Sequence, residues 1–325
     1  MESLWVQRMD HLAAEGTPFL FVLDFELAEP LIIPLDELFP KASASQAPFI
    51  RFQIGKEKTT EPKSAPINFS KTPIPFEDYQ KGFDRALSAI KAGDTYLLNL
   101  CYATGLSNHL SLEAIYESAQ APYKLLVNGK FVVFSPEQFV SVREGIIRTF
   151  PMKGTIDASL PDAEKTLLED IKEQEEHATV VDLLRNDLSI VSDQVKVDQY
   201  RFITEIKTRE KALLQCSSEI SGKLNAEYLN KPGRMMHALL PAGSVTGAPK
   251  KRTVELIHEI EPEGRNYFTG VFGVYDNGNI DSAVMIRMIE KRDGRFYYRS
   301  GGGLTYRSIA QQEYQEMLDK VYIPV

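Results

Sequence analysis

The last third of the chain holds the sequence feature that constrains the fold most, a hairpin turn between two strand-like segments. The segments span 267–275 and 282–289, and Asp276-Asn277-Gly278-Asn279 lies between them. Asn-Gly suits the two-residue turn of an antiparallel hairpin, because both of its residues tolerate a positive φ. The sequence therefore predicts antiparallel strands in this region, with a further strand at 296–298.

The rest of the chain alternates between strand-like and helical segments. Short runs rich in β-branched and aromatic residues predict strands at 19–23, 95–102, 129–134 and 145–150. Apolar residues at helical spacing predict a helix that begins at Phe76 and stops at Gly93, since glycine favours the left-handed conformation that ends helices.

Two capping boxes predict further helices. Ser159 and Asp162 have the spacing of the first, and the helix that follows is expected to run to about His177. Ser308 and Gln311 have the spacing of the second, at the start of the final helix.

Composition excludes several functional classes. The chain has 37 basic and 45 acidic residues, a net charge of −8, which argues against a nucleic-acid or anionic-membrane partner. Two cysteines, Cys101 and Cys216, exclude a disulfide scaffold and suit a reducing compartment. No apolar run approaches the roughly 20 residues that span a bilayer. We expect a soluble, cytoplasmic protein, and the absence of a composition break predicts one domain over residues 1–325.

Two pairs of glutamates stand out because each lies three residues apart on a predicted helix. Glu173 and Glu176 form one pair, and Glu313 and Glu316 form the other. Side chains at this spacing are neighbours on the helix surface. Two such pairs facing each other would make an oxygen-lined pocket suited to Mg²⁺, beside which Lys320 would hold a substrate carboxylate. The alternative is that each pair lies on a solvated helix face, and that Lys320 forms a surface pair with Glu316.

Lys153 and two glycine-rich segments are weaker candidates. Lys153 follows a predicted strand and could act as a nucleophile, although an isolated lysine is more often solvated. Gly243 to Lys250 lacks the glycine spacing of a phosphate-binding loop. Gly301-Gly302-Gly303 could let backbone amides approach an anion, or could form a bulge or turn.

Taken together and in order, the motifs from about residue 76 to residue 325 resemble those of the chorismate-utilising enzymes. The matching segments are Gly93-Asp94-Thr95-Tyr96, Ser135-Pro136-Glu137, Pro151-Met152-Lys153-Gly154-Thr155, Glu176-His177, Asp182-Leu183-Leu184-Arg185-Asn186-Asp187, Pro241 to Lys250, Ile286-Arg287, Gly301 to Gly303 and Glu313 to Lys320. The resemblance implies an α+β fold, a single chorismate-binding domain with two large, mainly antiparallel sheets flanked by helices. Residues 1–75 match less well.

The resemblance also implies a Mg²⁺-dependent site for chorismate. Glu176 and Glu316 would ligate Mg²⁺ directly, and Glu173 and Glu313 would help through water. The residues that would contact the substrate are Gly154, Thr155, Phe268, Arg287, Gly301, Gly302, Gly303 and Lys320.

Within the family, Lys153 resembles the lysine that aminodeoxychorismate synthases have in a Pro-x-Lys-Gly-Thr motif. The implied reaction begins when the neutral amine attacks C2 of chorismate with loss of the 4-hydroxyl. Ammonia then adds at C4 and expels the lysine, giving the precursor of p-aminobenzoate for folate. Leu97 stands where isochorismate and salicylate synthases have a water-activating lysine, and Gln215 stands where many relatives have a histidine.

The source of ammonia is expected to be a separate glutamine amidotransferase subunit. Neither Cys101 nor Cys216 lies in the Gly-x-Cys-x-Gly context of an amidotransferase nucleophile. The second interpretation is an anthranilate synthase component I, and a third is a non-catalytic chorismate-binding subunit, which the intact lysine and glutamate pairs argue against.

Overall fold

Helices and strands are mixed along the chain in the computed structural model, which describes residues 3–38, 49–55, 67–107, 110–207 and 212–324. The helices in these ranges are α1 (Leu4–Ala14), α2 (Leu35–Leu38), α3 (Phe76–Ala92), α4 (Leu112–Ser118), α5 (Ala163–Glu169), α6 (Ile171–Val191), α7 (Pro232–Leu239), α8 (Lys250–Ile260) and α9 (Ala310–Asp319).

Four strands are long, β5, β11, β12 and β17, and each of the others has two to six residues. Their bounds are β1 (Phe19–Leu23), β2 (Leu31–Pro34), β3 (Ile50–Gln53), β4 (Lys71–Thr72), β5 (Leu97–Leu106), β6 (Tyr123–Val127), β7 (Phe131–Ser135), β8 (Gln138–Arg143), β9 (Ile146–Thr149), β10 (Met152–Asp157), β11 (Ser192–Lys207), β12 (Ala212–Leu224), β13 (Gly247–Ala248), β14 (Val271–Asp276), β15 (Asn279–Val284), β16 (Met288–Arg292) and β17 (Arg295–Leu304).

These strands form two large sheets. In one, the order is β10-β12-β9-β8-β15-β14-β1-β2, and β11 also pairs with β12. In the other, the order is β13-β5-β17-β16-β7-β6-β3, and β4 also pairs with β5. Pairs such as β11–β12, β16–β17 and β17–β5 are antiparallel. The predicted α+β fold with two large, mainly antiparallel sheets flanked by helices is confirmed.

The chain divides into two compact units. The first unit comprises Met1–Pro18, Gln138–Leu240 and Tyr275–Ser282, and the second comprises Phe19–Glu137, Pro241–Val274 and Ala283–Val325. We describe each unit by itself, and one domain over residues 1–325 stays a prediction.

In the first unit, helices pack against one another and against the strands that carry the candidate residues. Helix α6 packs against β10, β11 and β12. Helices α1 and α7 approach closely at Gly233, where a Cβ would lie 2.3 Å from the carbonyl oxygen of Val6. The edge of the Trp5 ring also contacts His237, with the ring centroids 5.8 Å apart. This pairing fixes α7, which follows β12 along the chain.

In the second unit, α3, α8 and α9 cover a hydrophobic cluster beneath β5 and β17. The cluster contains Tyr79, Phe83, Leu98, Leu100, Tyr102, Leu256, Ile257, Leu304 and Met317. Helix α9 therefore lies directly over the strand that carries the three glycines, because Met317 and Leu304 belong to the same core.

Local signals predicted several element boundaries correctly. Helix α3 ends at Gly93, whose φ is 82°. The hairpin joins β14 to β15 at Asn277 and Gly278, with φ values of 47° and 80°. Both residues have a positive φ, as the two-residue turn requires.

Three predicted boundaries are wrong. The helix expected from Ser159 to His177 is interrupted at Asp170, which caps α6, and Ser159 instead bonds to Asp157. The strand predicted over 282–289 is split between β15 and β16. Ser308 does not cap α9, because Ile309 is the N-cap residue and the Ser308 hydroxyl instead accepts a hydrogen bond from the amide of Thr305 and donates one to Glu313.

None of the helices that the structure describes has both the length and the apolar composition needed to cross a bilayer.

Candidate functional site

In the first unit, Lys153 on β10 contacts Glu176 on α6. The Lys153 Nζ lies 2.7 Å from Glu176 Oε2, and the two side chains are 30% and 17% exposed. Lys153 is thus neither a freely solvated surface lysine nor a fully enclosed one. An ion pair at this degree of burial holds the amine in a defined place while leaving it accessible to a small molecule.

Gly154 makes room for Glu173, the other glutamate of the predicted pair on α6. Its φ is +78°, and a Cβ at this position would lie 2.8 Å from Glu173 Oε2 and 2.9 Å from Leu167 Cδ1. Glu173 itself is held at the start of α6, where its backbone amide donates to Asp170 Oδ1 at 3.0 Å. The backbone conformation therefore favours glycine, and a Cβ here would also displace the side-chain ends of Glu173 and Leu167. We refer to Lys153, Gly154, Glu173 and Glu176 as the β10–α6 cluster.

His177, next to Glu176, is buried and belongs to a polar network that the sequence did not reveal. Its Nε2 lies 2.7 Å from Ser218 Oγ, which also accepts a hydrogen bond from the backbone amide of Arg201. Burial, together with the positive charges of Arg201 and Lys153, lowers the pKa of His177 to about 4. The imidazole is therefore neutral at physiological pH, and it ties α6 to β12 beside Glu176.

Thr155 is exposed on β10 and lies opposite Gln215 of β12 in the antiparallel register. On its other side Gln215 faces Thr204 of β11. Gln215, a neutral amide, is therefore directly beside the Lys153-Gly154-Thr155 motif.

In the second unit, three side chains of the α9 segment converge over Gly302 of β17. A Cβ at Gly302 would lie 3.5 Å from Glu313 Oε2, 3.5 Å from Glu316 Oε1 and 3.6 Å from Lys320 Nζ. Lys320 Nζ lies 2.7 Å from Glu316 Oε1 and donates to the carbonyl oxygen of Gly301 at 2.8 Å. Glu313 is buried and accepts a hydrogen bond of 2.8 Å from Ser308. We refer to Gly301–Gly303, Glu313, Glu316 and Lys320 as the β17–α9 cluster.

The three glycines pair with β5 along one edge of β17 and lie beyond the pairing with β16 along the other. A Cβ at Gly301 would lie 2.1 Å from the carbonyl oxygen of Leu100, so glycine is needed there for the close approach of β5. The pairing of β16 with β17 ends at Met288 opposite Arg299, so the glycines lie beyond it. Their pairing with β5 occupies one edge of the strand, and the other edge is where backbone amides can meet an anion.

Arg287 and Phe268 lie elsewhere in the second unit. Arg287 precedes β16 with a φ of 54°, and its guanidinium carbon lies 5.3 Å from the centroid of the Tyr322 ring. Phe268 is 3% exposed and belongs to a hydrophobic cluster with Phe272 and Met285. Phe268 is thus packed in a core, and its contact with a substrate stays a prediction.

The donor chemistry of both clusters fits Mg²⁺. No group of three or more His, Cys, Asp or Glu side chains that could hold a metal occurs within the described ranges. Each cluster does provide two carboxylates from one helix. Mg²⁺ prefers oxygen ligands, retains several waters and is typically bound by one or two carboxylates together with an anionic substrate. Two glutamates per cluster are compatible with that mode.

Comparison with known proteins identifies the family to which the chain is similar. Residues 35–324 match the sequence profile of a family described as chorismate binding enzyme. The chain is 47% identical over 321 residues to an uncharacterized PabA-like protein of Haemophilus influenzae, covering 99% of this chain and 96% of that protein.

More distant similarities are to proteins with named activities. Aminodeoxychorismate synthase component 1 of Klebsiella aerogenes is 31% identical over 261 residues, which cover 75% of this chain and 56% of that protein. The crystal structure of anthranilate synthase component I from Streptococcus pneumoniae TIGR4 is 30% identical, with a TM-score of 0.67 over 79% of this chain and 59% of that chain. The profile match covers most of the sequence, and the chain belongs to the chorismate binding enzyme family.

Proposed function

We propose that the protein is an aminodeoxychorismate synthase component I, which converts chorismate and ammonia to 4-amino-4-deoxychorismate. The observation that carries this proposal is the position of Lys153 within the β10–α6 cluster. Its amine lies 2.7 Å from a carboxylate of Glu176 and its side chain is 30% exposed, as a nucleophile that must reach a bound molecule requires. The similarity to the Klebsiella synthase supports the same choice.

In the proposed reaction Lys153 acts as the nucleophile. The amine, in its neutral form, leaves its contact with Glu176 and forms a bond to C2 of chorismate. The two ring double bonds shift, the C4–O bond breaks, and the hydroxyl leaves as water with the proton that the amine gives up. Ammonia then forms a bond to C4, the double bonds shift back, the C2–N bond to Lys153 breaks, and a proton from the added ammonia returns to the Lys153 nitrogen. Two displacements of this kind replace one difficult substitution.

The other residues of the clusters would bind the metal and the substrate. Glu176 and Glu316 would ligate Mg²⁺ directly, and Glu173 and Glu313 would act through water. When bound, the metal would supply positive charge that holds a substrate carboxylate. The side chains and amides proposed to contact chorismate are those of Gly154, Thr155, Phe268, Arg287, Gly301, Gly302, Gly303 and Lys320. Arginine suits this role because its planar guanidinium pairs with a carboxylate through two hydrogen bonds.

Ammonia would come from a separate glutamine amidotransferase subunit. Cys101 and Cys216 are both buried, and burial raises the pKa of each thiol, to about 12 for Cys101. Neither thiol has the thiolate character of a glutaminase nucleophile. The partner itself is inferred from the component 1 name of the similar synthase.

An anthranilate synthase component I is the second candidate, because the similar Streptococcus structure has that name. The two functions differ in the carbon that is aminated. Purified protein is incubated with chorismate, Mg²⁺ and an ammonium salt, and the product is identified by mass spectrometry and NMR. We expect 4-amino-4-deoxychorismate. Anthranilate as the product would establish the second candidate instead, and binding without consumption of chorismate would establish a non-catalytic subunit.

A further inference from the structure

The backbone of Arg287 is held in place, whereas the Nε of its side chain donates no hydrogen bond to any described residue. The residue has a φ of 54°, and its carbonyl oxygen accepts a hydrogen bond of 3.0 Å from the amide of Phe134. The Nε atom is buried and has no hydrogen-bond partner among the residues that the structure describes. A long side chain in this situation needs another contact to hold its guanidinium in one orientation.

The ring of Tyr322 provides that contact. The guanidinium carbon of Arg287 lies 5.3 Å from the ring centroid, within the range of a cation–π interaction. The backbone that carries the ring is anchored, because the carbonyl oxygen of Tyr322 accepts a hydrogen bond of 2.9 Å from the hydroxyl of Tyr298, whose side chain is fully buried. The preceding residue, Val321, is also fully buried.

The same short segment carries a second cation of the proposed site. Lys320 donates to the carbonyl oxygen of Gly301 and pairs with Glu316, and the amide of Tyr322 donates to the carbonyl oxygen of Lys320 at 3.2 Å. Residues 320–322 therefore determine the positions of both a lysine and an arginine.

We propose that Tyr322 is a positioning residue that holds the Arg287 guanidinium ready for a carboxylate of the substrate, an inference that rests on the proposed function. A guanidinium stacked on a ring uses its face for that contact and keeps its N–H edge for an anion. Tyr322 can thus orient Arg287 without consuming the donors that a carboxylate needs.

The kinetic test compares Tyr322→Leu with Tyr322→Phe. Loss of the ring should raise KM for chorismate roughly three- to tenfold, the equivalent of a partly exposed cation–π contact, with little change in kcat. Tyr322→Phe keeps the ring and should retain the wild-type KM. In an Arg287→Ala background Tyr322→Leu should have no further effect on KM. Equal KM values for Tyr322→Leu and wild type would overturn the inference.

A matched control removes a similar pair elsewhere in the second unit. Arg292 lies 4.2 Å from the centroid of the Tyr297 ring, and Tyr297→Leu should leave KM unchanged. Tyr322 is 47% exposed and Tyr297 is partly buried, so we expect both leucine variants to fold, which their melting temperatures will check. A KM increase of the same size in Tyr297→Leu would also overturn the inference, since the effect would then be general.

A chemical measurement separates this inference from the proposed function. Phenylglyoxal modifies exposed guanidinium groups, and peptide mass spectrometry gives the rate at Arg287 without any substrate. We expect faster modification of Arg287 in Tyr322→Leu than in wild type or in Tyr322→Phe. Unchanged rates would contradict the contact even if the protein is an active synthase. If wild-type protein neither binds nor consumes chorismate, the proposed function fails, and the role of Tyr322 toward a substrate fails with it.

Discussion

At the scale of single residues, both lysines of the proposed site are held by the glutamates that are proposed to bind Mg²⁺. Lys153 contacts Glu176 and Lys320 contacts Glu316, each with nitrogen and oxygen atoms 2.7 Å apart. The second contact corresponds to the alternative considered for Lys320 from the sequence, a pair with the glutamate four residues before it. The sequence could not predict the first, because β10 and α6 place residues together that are 23 positions apart.

Lys153→Ala removes the proposed nucleophile and leaves the glutamates and glycines in place. We expect formation of aminodeoxychorismate to fall at least about a hundredfold while chorismate still binds. Product formation is measured by chromatography and binding by calorimetry. Lys165→Ala, on the exposed face of α5, should be fully active.

A direct test of the covalent step uses wild-type protein with chorismate and no ammonia. Denaturing mass spectrometry should detect an adduct on the peptide that contains Lys153. If no adduct forms and Lys153→Ala still aminates C4 normally, Lys153 has only an electrostatic or structural role.

Gly154→Ala should inactivate the protein through a clash with Glu173. The new Cβ would lie 2.8 Å from Glu173 Oε2 in a backbone with φ +78°. The matched control is Gly129→Ala, since Gly129 has φ +74° and nothing within 4 Å of its Cβ position. Both variants should lose about 1 kcal/mol of unfolding free energy from the left-handed backbone, measured by urea denaturation. Loss of activity in both variants, or in neither, would contradict the idea that activity depends on the contact between Gly154 and the Glu173 carboxylate.

At the scale of elements, the sequence predicted the boundaries that depend on neighbouring residues. The Asn277-Gly278 turn and the Gly93 stop are of this kind. The split of the predicted 282–289 strand was missed because it depends on Arg287, a residue type that gives no signal of a positive φ. The start of α6 did have a signal, since Asp170 and Glu173 have capping spacing and Asp170 accepts from the Glu173 amide.

Helices α6 and α9 each present a glutamate whose charge the reaction is expected to need. Glu176→Gln and Glu316→Gln keep the side-chain volume but remove the charge that would bind Mg²⁺, so turnover should be lost without a change in the melting temperature. Calorimetry with Mg²⁺ should show weaker binding in both variants.

The control for this pair is Asp319→Asn, an exposed acid on α9 that accepts a hydrogen bond from Gln315. It should bind Mg²⁺ as wild type does. Full activity of either glutamine variant in buffer treated with a chelator would exclude the metal assignment.

A buried ion pair follows the end of α8 and contacts the backbone of β5. Glu261 and Arg265 are 3% and 1% exposed, with oxygen and nitrogen atoms 2.6 Å apart, and Glu261 also accepts from the amide of Cys101. Glu261→Ala would leave the guanidinium buried without this carboxylate, so we expect a loss of about 3–5 kcal/mol of unfolding free energy. Glu259→Ala, which removes an exposed partner of Arg252, should cost less than about 1 kcal/mol by the same urea denaturation measurement. Similar losses in the two variants would show that the buried pair contributes no more to the free energy of unfolding than an exposed pair does.

At the scale of the whole molecule, the order of motifs along the chain was enough to predict the fold and the family. Some of these motifs lie on helices or strands, such as Lys153-Gly154-Thr155 on β10 and Glu313 to Glu316 on α9, and others lie in the connections between them. Contacts between side chains far apart in sequence could not be predicted this way. Ser218 with His177 and Tyr322 with Arg287 are two such contacts, and each depends on packing that only the structure reveals.

The whole chain should use ammonium salts and not glutamine as its nitrogen source. Both described thiols are buried, with pKa values raised by that burial, so no glutaminase nucleophile is expected from them. Turnover of chorismate is measured with each nitrogen source over a range of pH, because only the neutral form of ammonia is nucleophilic. Efficient use of glutamine by rigorously purified protein would contradict the need for a partner subunit.

The lysine–glutamate arrangement has a consequence for the order in which ligands arrive. Each cluster has two carboxylates and one ammonium group, Glu173, Glu176 and Lys153 in one and Glu313, Glu316 and Lys320 in the other. Each therefore carries a formal charge of minus one, and the dianionic substrate that we propose would be repelled by such a charge until a divalent cation offsets it. Binding should be sequential, with the divalent ion first and the dicarboxylate second, so raising the chorismate concentration cannot compensate for a lack of metal.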